Sequence, residues 1–321
     1  MKTTIVFIIL LSMLSCSSEK TRTISKTDQE LHIKALGIFK PLPEAIIDTK
    51  TNAHKISLGK KLYFEKKLSI NNTISCNSCH NLETYGVDNQ PTSPGHDGTR
   101  GGRNSPTSLN AALHFKQFWD GRAADVEAQA LGPITNPIEH GLPSEKAALE
   151  KINSKEYIQL FKKAGLDFNY KNIGVAIGSY ERTFLTPSPF DDYLKGDIFA
   201  LNQKQRNGLD KFIQVGCISC HSGVALGGNS FQKLGVVKSF ETKDLGLFEV
   251  TKKKRDKLKF KVPGLRNIEK TAPYFHDGSV KTLSEAISIM GEYQLGTKLS
   301  NEDISLIEAF LSSTTAKSVK F

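Results

Sequence analysis

Cys76-Asn77-Ser78-Cys79-His80 decides the fold, because it returns 141 residues later as Cys217-Ile218-Ser219-Cys220-His221. Two thiols with two residues between them and a histidine directly after form the attachment signature of c-type haem. The thiols add to the two haem vinyl groups, and the imidazole becomes the proximal iron ligand. That spacing lets both cysteines reach the vinyls from one helical turn, with the histidine under the iron. A zinc ribbon would place its second cysteine pair about 15–20 residues on, whereas 137 residues separate Cys79 from Cys217. A redox dithiol needs neither the trailing histidine nor a second copy. The chain therefore expects two covalently bound haem c groups, held by Cys76, Cys79 and His80 and by Cys217, Cys220 and His221.

Outward from these motifs the repetition continues. Phe118-Trp119-Asp120-Gly121 is echoed by Phe275-His276-Asp277-Gly278, and Asn110 and Asn267 each precede the aromatic by eight residues. Two copies of one unit, diverged in loop length, account for this. The pattern between motifs is helical. Asn172 to Leu185 places Ile173, Ile177, Tyr180 and Phe184 at spacings of three and four, and Asn202 to Val215 carries Leu209, Phe212 and Ile213 on one side. Lys55 to Lys67 shows a weaker apolar face. Thr282-Leu283-Ser284-Glu285 reads as a capping box opening a helix that ends at Met290-Gly291, and a further helix starts at Ser300 to Asp303. Strand alternation is scarce, so the fold class is mainly α, with two cytochrome c-like haem domains related by internal duplication. Two prolines in Thr186-Pro187-Ser188-Pro189 cannot continue a helix and mark the boundary. The division is 41–187 for the first haem domain and 188–321 for the second.

The 321 residues are 38% hydrophobic and 24% charged, which excludes a disordered tail and a polytopic membrane protein. Ile5 to Leu14 is too short to span a bilayer, and with Lys2 before it and Cys16 after it lays out an export signal. Small Ser15 before an odd, unpartnered cysteine predicts a lipoprotein-type signal over 1–15, with Cys16 lipidated. Residues 16–40, rich in Ser, Thr and Lys, read as a tether. The expected location is periplasmic, with membrane contact only through the lipid anchor. The formal net charge is +10, with Lys2 in the leader. No nucleic-acid signature accompanies it, and the one dense run, Lys252-Lys253-Lys254-Arg255 with Lys257, Lys259 and Lys261, reads as a solvated loop.

The sixth iron ligands decide what the haems do. A thioether raises the potential and suits electron transfer, whereas an open or weakly held position suits chemistry on peroxide. With Met1 and Met13 in the leader, Met290 is the only methionine left to serve as a ligand, and it belongs to the second copy. In the first copy the candidates are His96, His114 and His140. His96 lies in the glycine-rich turn Pro94-Gly95-His96-Asp97-Gly98.

Over roughly residues 40–315 the chain resembles the bacterial dihaem cytochrome c peroxidase family. Besides the haem motifs, the resemblance rests on Gly86-Val87-Asp88-Asn89, Arg103-Asn104 with Pro106-Thr107, and Gln117-Phe118-Trp119-Asp120-Gly121-Arg122-Ala123. It continues through Thr271-Ala272-Pro273-Tyr274-Phe275-His276 and Ile289-Met290-Gly291. It implies a peroxidatic first haem with His80 proximal and His96 as removable distal ligand. The second haem would be the electron-accepting one, held by His221 and Met290. Trp119 matches the aromatic between the haems, Glu139 the distal acid–base residue and Gln129 its neighbour. Asn104, through its side chain, and Thr271 and Pro273, through their carbonyls, match a calcium site, whose oxygen donors suit a hard cation. The implied partners are hydrogen peroxide, a small cytochrome c or cupredoxin as electron donor, and a second copy in a homodimer. Two rivals stand beside this reading. An oxidase-like relative that matures a protein substrate would carry tyrosine where Met290 stands. A purely electron-transferring dihaem cytochrome would have no use for Glu139, Gln129 and the His96 turn.

Overall fold

The computed structural model describes residues 23–321, and the leader and Cys16 lie outside the described residues. Two helix crossings organise the chain. In one, Ala53–Tyr63 packs on Tyr170–Glu181; in the other, Gln203–Gln214 packs on Asn301–Ser312. A Cβ at Gly59 would run into the Ala176 carbonyl, and one at Gly208 into the Leu306 carbonyl. Each glycine thus lets two backbones touch, and the aromatic four residues beyond the approached carbonyl, Tyr180 or Phe310, closes the crossing. Each crossing seeds one apolar core. Leu58, Leu62, Ile173, Ile177 and Phe184 belong to the first, and Leu209, Phe212, Ile307, Phe310 and Leu311 to the second. Strand content among the described residues is one short antiparallel pair, Phe231–Lys233 with Lys259–Lys261.

The chain ends depart from the sequence expectation. Lys26–Ile38, inside the stretch read as a tether, is a helix capped by the Ser25 hydroxyl. Leu31, Ala35 and Phe39 recur every four residues, and all three are buried in the second core beside Phe190 and Tyr193. Burying Leu31 and Phe39 is worth roughly 1.5–3 kcal/mol each. Arg206 fixes this helix from below by donating Nε to Asp28 Oδ1 at 2.7 Å. At the other end Phe321 crosses to the first core, its ring 4.7 Å from that of Phe184. Each core therefore borrows a terminus from across the molecule.

No helix continues through the proline pair, as expected. Pro189 opens the helix Pro189–Leu194 at its first turn, behind the capping box of Ser188 and Asp191. Asp191 is buried and takes both guanidinium nitrogens of buried Arg266, at 2.8 and 2.9 Å. Thr186, just before, is the meeting point of the repeat. Its Oγ1 accepts from Asn110 Nδ2 at 2.7 Å and from Asn267 Nδ2 at 2.8 Å. Both asparagines are left-handed, with φ of 59° and 62°. The two copies thus face each other across one hydroxyl.

Candidate active site

In the second copy, Cys217, Cys220, His221 and Met290 all line one cavity whose walls include Phe212, Leu299 and Leu311. The His221 imidazole has its Nδ1 3.1 Å from the Leu226 carbonyl. A carbonyl only accepts, so Nδ1 carries the proton and Nε2 is left free for a metal. Burial pulls this imidazole down to about 4, with the Leu226 and Pro263 carbonyls pulling the other way. Met290 stands where the capped helix Leu283–Ile289 passes into a turn of π-helix, Met290–Gln294, an irregularity frequent at functional sites. Gln294 ties that turn to the opposite wall, accepting from Gly235 N and donating to the Lys233 carbonyl. Two thiols, an oriented imidazole and a thioether around an apolar cavity fit a haem c group.

In the first copy, Cys76–Cys79 forms a single turn behind the Ser75 capping box, with His80 directly after it. Burial pushes both thiols up, Cys79 to about 11. The His80 ring is buried, and the Gly86 and Pro106 backbone beside it matches the carbonyl partners of His221 in the second copy. Tyr63 Oη donates to the His80 carbonyl at 2.7 Å and anchors the motif to the first helix crossing. The donor set again fits haem.

The residues expected on the distal side of that copy come together as one backbone unit. His96 N donates to the Glu139 carbonyl at 2.9 Å, and Asn71 Nδ2 donates to the His96 carbonyl at 2.6 Å. The His96 ring packs over Gly141, with Nε2 3.2 Å from the Pro137 carbonyl. Glu139 is partly buried, and its Oε1 accepts from Asn136 Nδ2 at 2.9 Å. Burial raises its carboxyl pKa, against the Arg122 charge and the Asn136 bond, which favour the anion. Gln129 lies on the helix Val126–Thr135, partly buried. Of the other two candidate histidines, His140 is buried and bonds the Leu68 carbonyl through Nδ1 at 2.7 Å. His114 bonds Lys261 across the molecule at 2.9 Å.

Trp119 lines the second cavity, donates Nε1 to the Asn104 carbonyl at 2.9 Å and meets the His276 ring edge-on. Asn104, Thr271 and Pro273 border the same cavity, and Asn104 Nδ2 is committed to the Gln90 carbonyl. Sequence reasoning quoted Pro106 in a motif without giving it a role and did not name Pro263; their carbonyls lie beside His80 and His221 respectively. Each stands four residues before a repeated asparagine, so the repeat itself held the signal. It also missed Lys261, read as part of a solvated basic run, whereas the structure buries it.

Comparison with known proteins agrees with this geometry. Residues 53–198 match the family model described as di-haem cytochrome c peroxidase. The chain is 44% identical over 302 residues to a cytochrome c551 peroxidase of Pseudomonas aeruginosa, covering 89% of this chain and 87% of that one. It is 45% identical over 278 residues to the cytochrome c551 peroxidase of Nitrosomonas europaea, covering 85% and 83%. Among solved structures, a MauG-like protein associated with microbial copper homeostasis aligns with a TM-score of 0.77 at 27% identity. That alignment covers 87% of this chain and 95% of that one.

Proposed function

The chain belongs to the di-haem cytochrome c peroxidase family, an oxidoreductase acting on peroxide, and from that premise we propose how its two halves divide the work. His221 and Met290 would hold the haem suited to accepting electrons from a small redox protein, a cytochrome c or cupredoxin. His80 would hold the haem that supplies the reduction of hydrogen peroxide to water. The bound haems supply the redox chemistry, and the chain supplies orientation, proton handling and access.

The observation that carries this division is the contrast between the two distal sides. Met290, where a helix passes into a π-turn, lines an apolar cavity. His96, in contrast, sits on a partly exposed turn bound to the Glu139 backbone. A thioether ligand suits a haem that only exchanges electrons. A histidine on a glycine-flanked turn can be held or released, and with His114 and His140 buried in contacts elsewhere it is the remaining candidate. Glu139, its carboxyl pKa raised by burial, can take a proton from one peroxide oxygen and return it to the departing one. Gln129 would orient the substrate beside it, and Trp119 would relay electrons between halves. The boundary is placed at 187/188. The Asn104 side chain with the Thr271 and Pro273 carbonyls offers neutral oxygens to a calcium ion. Export with lipidation at Cys16 would place the enzyme in the periplasm on a membrane anchor. Among the described residues no helix is long and apolar enough to cross a membrane.

The test uses the haem-loaded chain reduced by one electron, with calcium present and one equivalent of peroxide added. Rapid peroxide loss with oxidation of the methionine-ligated haem is expected, against a slow fully oxidised control. No reaction in either state, with both irons six-coordinate, would instead mark an electron-transfer cytochrome. His96→Gly should react without prior reduction, and unchanged dependence on reduction would remove His96 from its gating role.

A further inference from the structure

One member of the basic run does not face water. Lys252, Lys253, Lys254, Arg255 and Lys257 are exposed, yet Lys261 keeps only 5% of its surface. It sits at the end of the strand Lys259–Lys261, whose partner strand is Phe231–Lys233, and its own N–H donates to the Trp119 carbonyl at 2.8 Å. Its ammonium group meets His114 Nδ1 at 2.9 Å. His114 comes from the other copy, and its ring is wedged against Gly228 and Gly264, where any Cβ would collide with it. That glycine-lined slot is built around the imidazole. As hydrogen-bond acceptor His114 is neutral, so it orients Lys261 and adds no opposing charge. Burial alone pushes the ammonium down to about 8.

A buried cation with a neutral partner is costly unless an anion comes to it. The chain supplies none here. Lys261 and His114 both line the cavity of Cys217, His221 and Met290, and among the described residues no aspartate or glutamate lines that cavity. His276 on the same lining has a buried Nδ1 with no partner. The walls therefore offer donors and positive charge to a guest that must carry its own carboxylate. A haem carries two, its propionates.

We propose that Lys261, presented by His114 from the opposite copy, is the cofactor-binding cation that grips a propionate of the haem in the His221–Met290 cavity. This rests on that haem occupying the cavity, and it adds a consequence. A positive charge fixed beside the propionate disfavours the extra positive charge of ferric iron, so the pair raises the potential of this haem. Because His114 and Trp119 belong to the first copy, the grip also locks the two copies together at the place where electrons would cross.

The experiment compares the haem-loaded full chain with Lys261→Met and, as a surface control, Lys253→Met. Haem content and the methionine-to-iron charge-transfer band are read first; their absence in the unaltered chain would unseat the cavity assignment itself. With that band present, reductive titration of Lys261→Met is expected to shift the ferric-to-ferrous ratio of the second haem tenfold towards ferric, which is 59 mV for a one-electron couple. Lys253→Met should leave it in place. In resonance Raman spectra, the propionate bending band of that haem should move in Lys261→Met. It should also move when the unaltered chain is transferred to deuterium oxide. An unchanged potential in Lys261→Met, an equal drop in the surface control, or a propionate band indifferent to deuterium overturns the proposal. Should Lys261→Met fail to fold, the deuterium measurement decides alone.

Discussion

Gly59 under the Ala176 carbonyl and Gly208 under the Leu306 carbonyl make the same helix crossing twice, yet the residue four positions on differs. In the first half it is Tyr63, whose hydroxyl reaches the His80 carbonyl; in the second it is Phe212, which has none. The partner helices diverge likewise. After Tyr180 comes buried Glu181, and after Phe310 comes buried Leu311. The copies have kept the frame that holds a proximal histidine and changed the polarity around it. A polar cradle with a releasable distal ligand favours chemistry at iron, and an apolar one with a thioether favours a high potential. Duplication thus supplied the scaffold, and a few side chains assign the roles.

The largest effect should come from erasing the distal difference. Met290→His would give the second haem two imidazoles, lowering its potential by a few tenths of a volt within the ~0.8 V that axial ligands span. Donor-driven turnover should stall while haem content holds, and spectroelectrochemical titration reads the shift directly. Normal turnover with an unmoved potential would reassign Met290 to packing. Next in size is Glu139→Gln. It retains the Asn136 contact but cannot carry a proton, so peroxide cleavage should fall about 10²–10⁴-fold with both haem spectra intact. A loss confined to peroxide affinity, with the cleavage rate preserved, would make Glu139 a binding group instead.

Glu181 tests the polarity contrast through stability. Burial, with Glu127 adding to it, lifts its carboxyl from 4.5 to about 8. The folded chain therefore holds this proton over a range where the unfolded chain has lost it. Stability from this group is intact below about pH 4.5 and drains away as pH rises towards 8, at about 1.4 kcal/mol per unit. Glu181→Gln should cancel that loss, roughly 3 kcal/mol between pH 5 and 8. The unaltered chain and the variant should therefore diverge in melting temperature towards alkaline pH. Parallel melting curves across that range would mean Glu181 is ionised and paired in the folded state.

Much of this was legible in the sequence where the signal is local. The haem motifs, the apolar spacing of Ile173, Ile177 and Tyr180, and the Thr282 and Ser300 caps each need only a few neighbouring residues, and the structure bears out the helices they predict. What stayed hidden is non-local. Lys26–Ile38 is polar enough to pass for a tether, and its three buried residues gain meaning only against Phe190 and Tyr193, over 150 positions on. Lys261 looks like its exposed neighbours until His114, 147 residues earlier, is placed beside it. The proline at 189 reads as a helix breaker by type, but its position behind Ser188 makes it a helix opener. Composition averages over positions, and in each of these cases one position decides.

Thr186 gives the most symmetrical test. Its hydroxyl oxygen accepts one amide proton from Asn110 and one from Asn267, the repeated residues of the two halves. Both asparagines sit in the left-handed region, a conformation that asparagine tolerates better than most residues. Thr186→Val keeps the shape and deletes the acceptor, leaving two buried donors unsatisfied at a cost of about 1–3 kcal/mol each. Thr186→Ser keeps the oxygen and should lose far less. If the shared hydroxyl couples the halves, denaturation of Thr186→Val, followed separately through each haem spectrum, should split into two midpoints where the unaltered chain shows one. A single midpoint, shifted equally for both haems, would place the coupling elsewhere. The exchanged chain ends would then hold the copies together, because each carries one end of the chain into the other copy's core without passing through the repeat.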